Sequence, residues 1–219
     1  IEAQPKLGGM LRVGIPDYRL PAAVLDREIE NILRLDITVR TGVRFGTDLA
    51  FSDLAREDFA AVFIAIGAHR PIRLGIPGED ESEDVIDALR YLREANFGRP
   101  PAVGQRVVVI GGGNVAIDAA RVARRLGAGK VRVVYRRTEA EMPAYAEEVK
   151  EALAEGIEIA FLTAPLRVLT ESGRVKGLAC SRMALGSADE SGRRRPVPVA
   201  DSEFSVNCDT VIVAIGQGI

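Results

Sequence analysis

Tryptophan is absent from this chain, and histidine and cysteine are nearly so, with one His and two Cys in 219 residues. Cys180 and Cys208 are far apart, which excludes a CxxC redox pair and a metal-ligand spacing. Both read as small core residues. His69 has no evident partner along the sequence and reads as a loop residue rather than a catalyst. No Ser-His-Asp set and no paired carboxylates stand out, so no side chain is assigned a catalytic role and none a metal. Apolar runs are short, none approaching the ~20 residues of a membrane span. The start lacks the charged-then-apolar order of a secretion signal. An excess of either charge is missing too. The 29 basic and 31 acidic residues leave a net charge of −2, which argues against a nucleic-acid binder held by electrostatics. The expectation is a soluble, cytoplasmic chain without nucleic-acid or membrane partners. Its 47% hydrophobic content suffices for one large domain or two small ones.

Against these absences one stretch carries most of the information: Arg106-Val-Val-Val-Ile-Gly-Gly-Gly-Asn-Val-Ala-Ile-Asp-Ala-Ala, followed by Val-Tyr-Arg-Arg. Residues 107–110 are a β-branched apolar run, as a buried parallel strand would be. Gly111, Gly112 and Gly113 break it at once. Residues 115–126 carry apolar positions at helical spacing, and Gly127 and Gly129 stop the helix. A second strand, 130–135, ends at Arg136 and Arg137. Strand, glycine turn, helix and strand in about thirty residues form the context that makes a glycine pattern a dinucleotide site. Gly111 allows the sharp turn. Gly113 lets a pyrophosphate approach the backbone, and Ala116 is small enough for close helix–strand packing. The anion would rest on free N–H groups at the positive end of the helix, around Asn114 and Val115. An NAD site usually ends its second strand in Asp or Glu. Two guanidinium groups there suit a 2′-phosphate, so NADP is favoured over NAD.

The rest of the chain supplies a second, less complete unit. Residues 8–21 are a Gly- and Pro-punctuated loop, and a helix is expected over 22–35. Short strands are expected over 37–40 and 43–45, with Asp53 capping a turn of helix. Residues 59–67 read as a buried strand, 71–83 as a loop, 85–96 as a helix and 98–104 as a linker. After the glycine unit come an acidic helix over 143–156 and a strand over 157–163. Strands 166–169 and 174–183 form a hairpin around Glu171-Ser172-Gly173. A polar loop over 186–196 holds Arg193, Arg194 and Arg195 at a solvated edge, and a final strand spans 209–216. Ala61-Val-Phe-Ile-Ala-Ile-Gly67 and Thr210-Val-Ile-Val-Ala-Ile-Gly216 are near copies. Two such closing strands imply two Rossmann-like units, yet only one glycine-rich start is present. The chain therefore reads as a piece of a longer protein, cut at both ends.

Taken together these residues resemble the small (β) subunit of NADPH-dependent glutamate synthase and its relatives. These include the flavin–NADPH part of dihydropyrimidine dehydrogenase and the NADPH-binding subunit of electron-bifurcating transhydrogenases. The resemblance rests on Gly8-Gly9-Met10-Leu11, Gly14-Ile-Pro-Asp-Tyr-Arg-Leu-Pro21, Leu74-Gly-Ile-Pro-Gly-Glu-Asp80, the glycine unit, Tyr135-Arg-Arg-Thr-Glu-Ala-Glu-Met-Pro143, Leu162-Thr-Ala-Pro165 and Gly192-Arg-Arg-Arg-Pro-Val-Pro198. It implies an α/β fold of two Rossmann-like, glutathione-reductase-type units, the FAD unit truncated at both ends. A partial FAD-binding domain would span 1–100, with 217–219 returning to it, and the NADP(H)-binding domain 101–216. It also implies that Glu2, Gly8, Gly9, Met10 and Arg19 line FAD. Gly111, Gly112, Gly113, Asn114, Val115, Arg136 and Arg137 would contact NADP(H), and Ala214, Ile215 and Gly216 would close the site near the nicotinamide.

The implied activity is an NADPH-dependent flavoprotein oxidoreductase that sends hydride to FAD and electrons on to iron–sulfur clusters or a large partner subunit. The clusters would lie outside this stretch, since no cysteine-rich region is present. The alternatives are an NAD(P)H-binding subunit of another electron-transfer complex, of ferredoxin-NADP reductase or transhydrogenase type, and a dinucleotide-binding module without turnover. The FAD loop and the flavin-ribitol motif are also absent, so this stretch alone is expected to bind FAD poorly and to be inactive.

Overall fold

The five residues Arg106–Ile110 form a strand whose side chains alternate between two cores, and this alternation explains the architecture. Val107 and Val109 enter one buried cluster, Val108 and Ile110 another. The computed structural model describes residues 1–57, 59–188 and 192–218. In chain order the helices are α1 (Gly9–Val13), α2 (Ala22–Leu33), α3 (Phe51–Leu54), α4 (Ala88–Asn96), α5 (Asn114–Arg125) and α6 (Ala146–Ala154). The strands are β1 (Arg70–Pro71), β2 (Val85–Asp87), β3 (Arg106–Ile110), β4 (Lys130–Val134), β5 (Glu158–Ala160), β6 (Thr163–Glu171), β7 (Arg174–Ala188), β8 (Arg194–Pro198), β9 (Phe204–Asn207), β10 (Thr210–Val213) and β11 (Gln217–Gly218).

Three layers result. The middle one is a parallel sheet in the order β2-β10-β3-β4-β5. Helices α4, α5 and α6 cover one face through Tyr91, Leu92, Ile117, Ala120, Val149 and Ala152. The antiparallel strands β6, β7 and β9 cover the other through Val168, Val175, Leu178, Cys180 and Val206. Val109 is fully buried at the centre. Val109→Ala is expected to lower the unfolding free energy by about 2 kcal/mol, measured by denaturant titration. The β6–β7 hairpin turns at Ser172 and Gly173, both at positive φ (50° and 74°), the geometry a two-residue hairpin loop needs.

Several expected elements differ in the structure. Residues 59–67 are not a buried strand: Phe59, Val62, Phe63, Ile64 and Ile66 are exposed, Phe63 at 93%. An apolar strand needs a hydrogen-bonding neighbour, and among the described residues none pairs with this one. Residues 37–40 and 43–45 likewise form no strand. Among the described residues, the isolated bridges here are Glu2–Thr41, between the two stretches, and Phe45–Leu49. Within 85–96, the first three residues are the edge strand β2 and the helix begins at Ala88, capped by Asp87, which accepts from the Arg90 N–H at 2.8 Å. The parallel sheet thus takes a strand from before residue 101.

The polar loop over 186–196 is shorter than expected. β7 runs to Ala188 and β8 begins at Arg194, and these two residues pair. Residues 189–191 lie outside the described residues. The final strand is Thr210–Val213, and β11 then pairs antiparallel with β1. Ile219 is also outside the described residues. Asp53 does act at a helix start, its carboxylate accepting from the Ala50 N–H at 2.9 Å.

Candidate dinucleotide site

The glycine turn sits at the carboxyl end of β3, between β4 and β10, where ligands of parallel sheets bind. Gly111 has a φ of 149°, and a Cβ there would stand 2.2 Å from the Ala214 carbonyl oxygen. The turn and the closing segment 214–216 are therefore in direct contact only because Gly111 has no side chain. At Gly112 a Cβ would meet the Tyr135 ring at 2.3 Å. Tyr135 is braced in turn: its hydroxyl donates to the Glu141 carbonyl at 2.7 Å, and the Ala144 N–H donates to the Gly112 carbonyl at 3.1 Å. Gly113 differs from both. Nothing lies within 4 Å of its missing Cβ, so the space above it is open. Gly113 is also the N-cap of α5, and no side chain caps that helix. An open backbone at an uncapped helix N-terminus fits a pyrophosphate.

The neighbouring candidates separate in the structure. Asn114 turns its side-chain carbonyl to the Tyr145 N–H at 3.0 Å, while Val115 packs against the helix-side core. Arg136 is exposed at the end of β4. Arg137 is buried, at 6% exposure, and its Nε donates to the Arg194 carbonyl of β8 at 2.7 Å. Ala214 and Gly216 are half-buried and Ile215 exposed, and the Gly216 carbonyl accepts from the Ile72 N–H at 3.2 Å.

In the first part of the chain, Glu2 bonds backbone to backbone with Arg40 and Val43, and its carboxylate accepts from the Gln4 N–H at 2.7 Å. Gly8 (φ 123°) lies against Leu25, Gly9 opens α1, and Met10 is 38% exposed. Arg19 does not stand free to line a ligand. It pairs with Asp118 on α5 at 2.7 Å and with Glu148 on α6 at 2.9 Å.

Asp118 is 2% exposed, and burial pushes its carboxyl up to about 6 while Arg19 pulls it back. The folded protein therefore holds a proton on Asp118 that the unfolded chain releases. The resulting stability is fully present below about pH 4 and is lost as pH rises through 6. Asp118→Asn is expected to remove that slope, a contribution on the order of 2–3 kcal/mol in pH-dependent unfolding. Burial also raises the Cys180 thiol to about 11 and the Cys208 thiol to about 12. Both are free and buried, and both are expected to resist alkylation until the protein unfolds, followed by mass spectrometry. Among the described residues no group of His, Cys, Asp or Glu could hold a metal ion, and no helix is long and apolar enough to cross a membrane.

Residues 20–219 match the family model for the pyridine nucleotide-disulphide oxidoreductases. The chain belongs to this family. Within it, the chain is 50% identical over 99% of its length to the NADP(+)-dependent formate dehydrogenase subunit beta of Moorella thermoacetica, of which it covers 31%. It is 48% identical over 96% of its length to the NADPH-Fe(3+) oxidoreductase subunit beta of Geobacter sulfurreducens, covering 32% of it. The glutamate synthase [NADPH] small chain of Halomonas elongata is 40% identical over 97% of the chain, with 46% of that protein covered. The chain thus spans about a third of the first two relatives. Among solved structures, FprA of Mycobacterium tuberculosis superposes with a TM-score of 0.80 at 21% identity, over 98% of this chain and 63% of FprA. That likeness shows a shared α/β fold. The disulphide chemistry in the family's description has no counterpart in the described cysteines, which are buried and free.

Three residues that shape the site were not among the sequence candidates. Tyr135 and Glu141 brace the glycine turn, and Tyr145 holds Asn114. The motif Tyr135-Arg-Arg-Thr-Glu-Ala-Glu-Met-Pro143 contained both bracing residues, but only contact with Gly112 gives them a role.

Proposed function

We propose that the chain is the NADP(H)-binding part of an NADPH-dependent flavoprotein oxidoreductase, with FAD in the full-length protein. The observation that carries this reading is the open, uncapped backbone at Gly113, which follows two glycines that cannot be replaced without collision. When bound, NADPH supplies a hydride and the flavin receives it. This chain's residues bind and orient. The Gly111–Gly113 turn and the N-terminus of α5 hold the pyrophosphate. Arg136 takes the 2′-phosphate from its exposed position, and Arg137 holds β8 beside it. Ala214, Ile215 and Gly216 line the side facing the nicotinamide. Glu2, Gly8, Gly9 and Met10 belong to the flavin side, in the partial unit over 1–100 to which 217–218 return. The NADP(H) unit is 101–216 with β2 and α4 packed onto it.

The relatives named for NADP(+) or NADPH support the choice of nucleotide. All three are named as a beta subunit or a small chain, which supports onward transfer of electrons to iron–sulfur clusters or a large partner subunit. Glutamate synthesis is one such acceptor system. Calorimetric titration of the 219-residue chain tests the reading: NADP+ is expected to bind at least tenfold more tightly than NAD+. Equal affinities, or no binding of either, would overturn it.

A further inference from the structure

A cluster of charge centred on buried Asp118 and Arg121 joins three elements remote in sequence. From the segment after α1, Arg19 reaches Asp118 on α5 (2.7 Å) and Glu148 on α6 (2.9 Å), and the Tyr18 hydroxyl donates to Asp118 at 3.4 Å. On α5, Arg121 contacts Glu148 (2.5 Å), Glu151 (2.8 Å) and Glu155 (2.7 Å) of α6 or its end, and Arg125 also binds Glu155. The Tyr18 ring lies beneath both guanidinium groups, at 3.9 Å from Arg125 and 4.6 Å from Arg121. A second anchor comes from α4, where the Asn96 amide donates to the Arg12 and Ile15 carbonyls at 3.0 and 2.9 Å.

Buried ion pairs are a weak source of stability, because desolvation offsets their attraction. Arg121 and its glutamates already join α5 to α6. Asp118 and Arg19 add a further pair, buried on the carboxylate side, whose distinctive effect is geometric: a carboxylate at 3% side-chain exposure fixes where Arg19 and Tyr18 can sit. Asp118 lies one turn into α5, the helix whose N-terminus is the open cradle, and a twelve-residue helix is stiff over that distance.

We propose that Tyr18, Arg19 and Asp118 form a positioning clamp, fixing the flavin-side segment 8–21 on the nucleotide helix α5 and so setting the two cofactor sites relative to each other. The clamp rests on the reading that α5 meets the nucleotide and 8–21 the flavin. The groups facing Asp118 are Tyr18 and Arg19 from the segment and Glu148 from α6.

In the flavin-loaded full-length protein, Arg19→Met is expected to slow single-turnover flavin reduction by NADPH at least tenfold, with the Kd for NADP+ changed less than twofold. Amide exchange over residues 9–20 is expected to rise at least tenfold, and Arg19→Lys to recover part of both. The Asp118 carboxyl carbon, followed by NMR, is expected to titrate near pH 6 in the wild type and higher in Arg19→Met. Wild-type reduction and exchange rates in Arg19→Met would overturn the clamp, as would an unmoved Asp118 titration. Should Arg19→Met fail to fold, Tyr18→Phe removes only the hydroxyl bond and is expected to raise the Asp118 midpoint and slow flavin reduction. No change in either would be equally decisive against the clamp. If the wild type fails to bind NADP+, the functional reading falls instead, while the exchange and titration arms still decide the clamp.

Discussion

Gly113→Ala is expected to weaken NADP+ binding at least thirtyfold while leaving the fold almost intact. Its backbone, at φ −90° and ψ 175°, is open to any residue, and an added Cβ meets nothing within 4 Å. The structural cost is limited to a poorer helix N-cap, about 1 kcal/mol or less. The methyl instead occupies the space where a pyrophosphate would approach the helix N-terminus, and a thirtyfold loss corresponds to about 2 kcal/mol. The adjacent glycines serve as controls of opposite kind. Gly111→Ala drives a Cβ to 2.2 Å from the Ala214 carbonyl at a φ of 149°, and Gly112→Ala drives one into the Tyr135 ring at 2.3 Å. Both are expected to lower stability by several kcal/mol, as overpacking and backbone strain combine. Thermal unfolding and calorimetric titration of the three variants together separate a ligand cradle from a packing turn. If Gly113→Ala binds NADP+ like the wild type, the cradle is only a turn.

The second large effect divides two adjacent arginines. Arg136→Ala is expected to cost NADP+ affinity ten- to a hundredfold, the range for losing a hydrogen bond to a charged group. It is expected to leave NAD+ affinity and unfolding unchanged, since the side chain is exposed. Arg137→Ala is expected to do the reverse. Its guanidinium is buried and bonded to the Arg194 carbonyl, so its removal leaves that carbonyl short of a partner and loosens β8, at about 1–3 kcal/mol. A loss of nucleotide discrimination in Arg137→Ala larger than that in Arg136→Ala would reverse the assignment.

How much of this could be read from residues alone varies along the chain. β3, α5 and β4 were legible because period, β-branching and glycine punctuation agree over one short unit. The β6–β7 hairpin was legible because Ser172-Gly173 suits a two-residue turn between two runs of strand length. Residues 85–87 were not, since Val85 and Ile86 continue the helical spacing of α4. Only pairing with β10 makes them a strand. Residues 61–67 are a near copy of 210–216, yet the first stretch is exposed and the second supplies β10 between β2 and β3. Strand propensity names a candidate, but a sheet neighbour decides whether it is used.

By itself, the amino-acid sequence determined the strand, glycine turn, helix and strand unit, the basic pair at the end of its second strand and the lack of a CxxC pair for redox chemistry. These are local matters of backbone freedom, side-chain period and residue type. Only the tertiary structure decided that Arg136 faces solvent while Arg137 holds β8, that Tyr135 fills the space Gly112 vacates, and that Asp118 pairs with a residue 99 positions away. The partner of a buried charge is set by which elements pack together, and a pattern confined to one helix or strand carries no information about that.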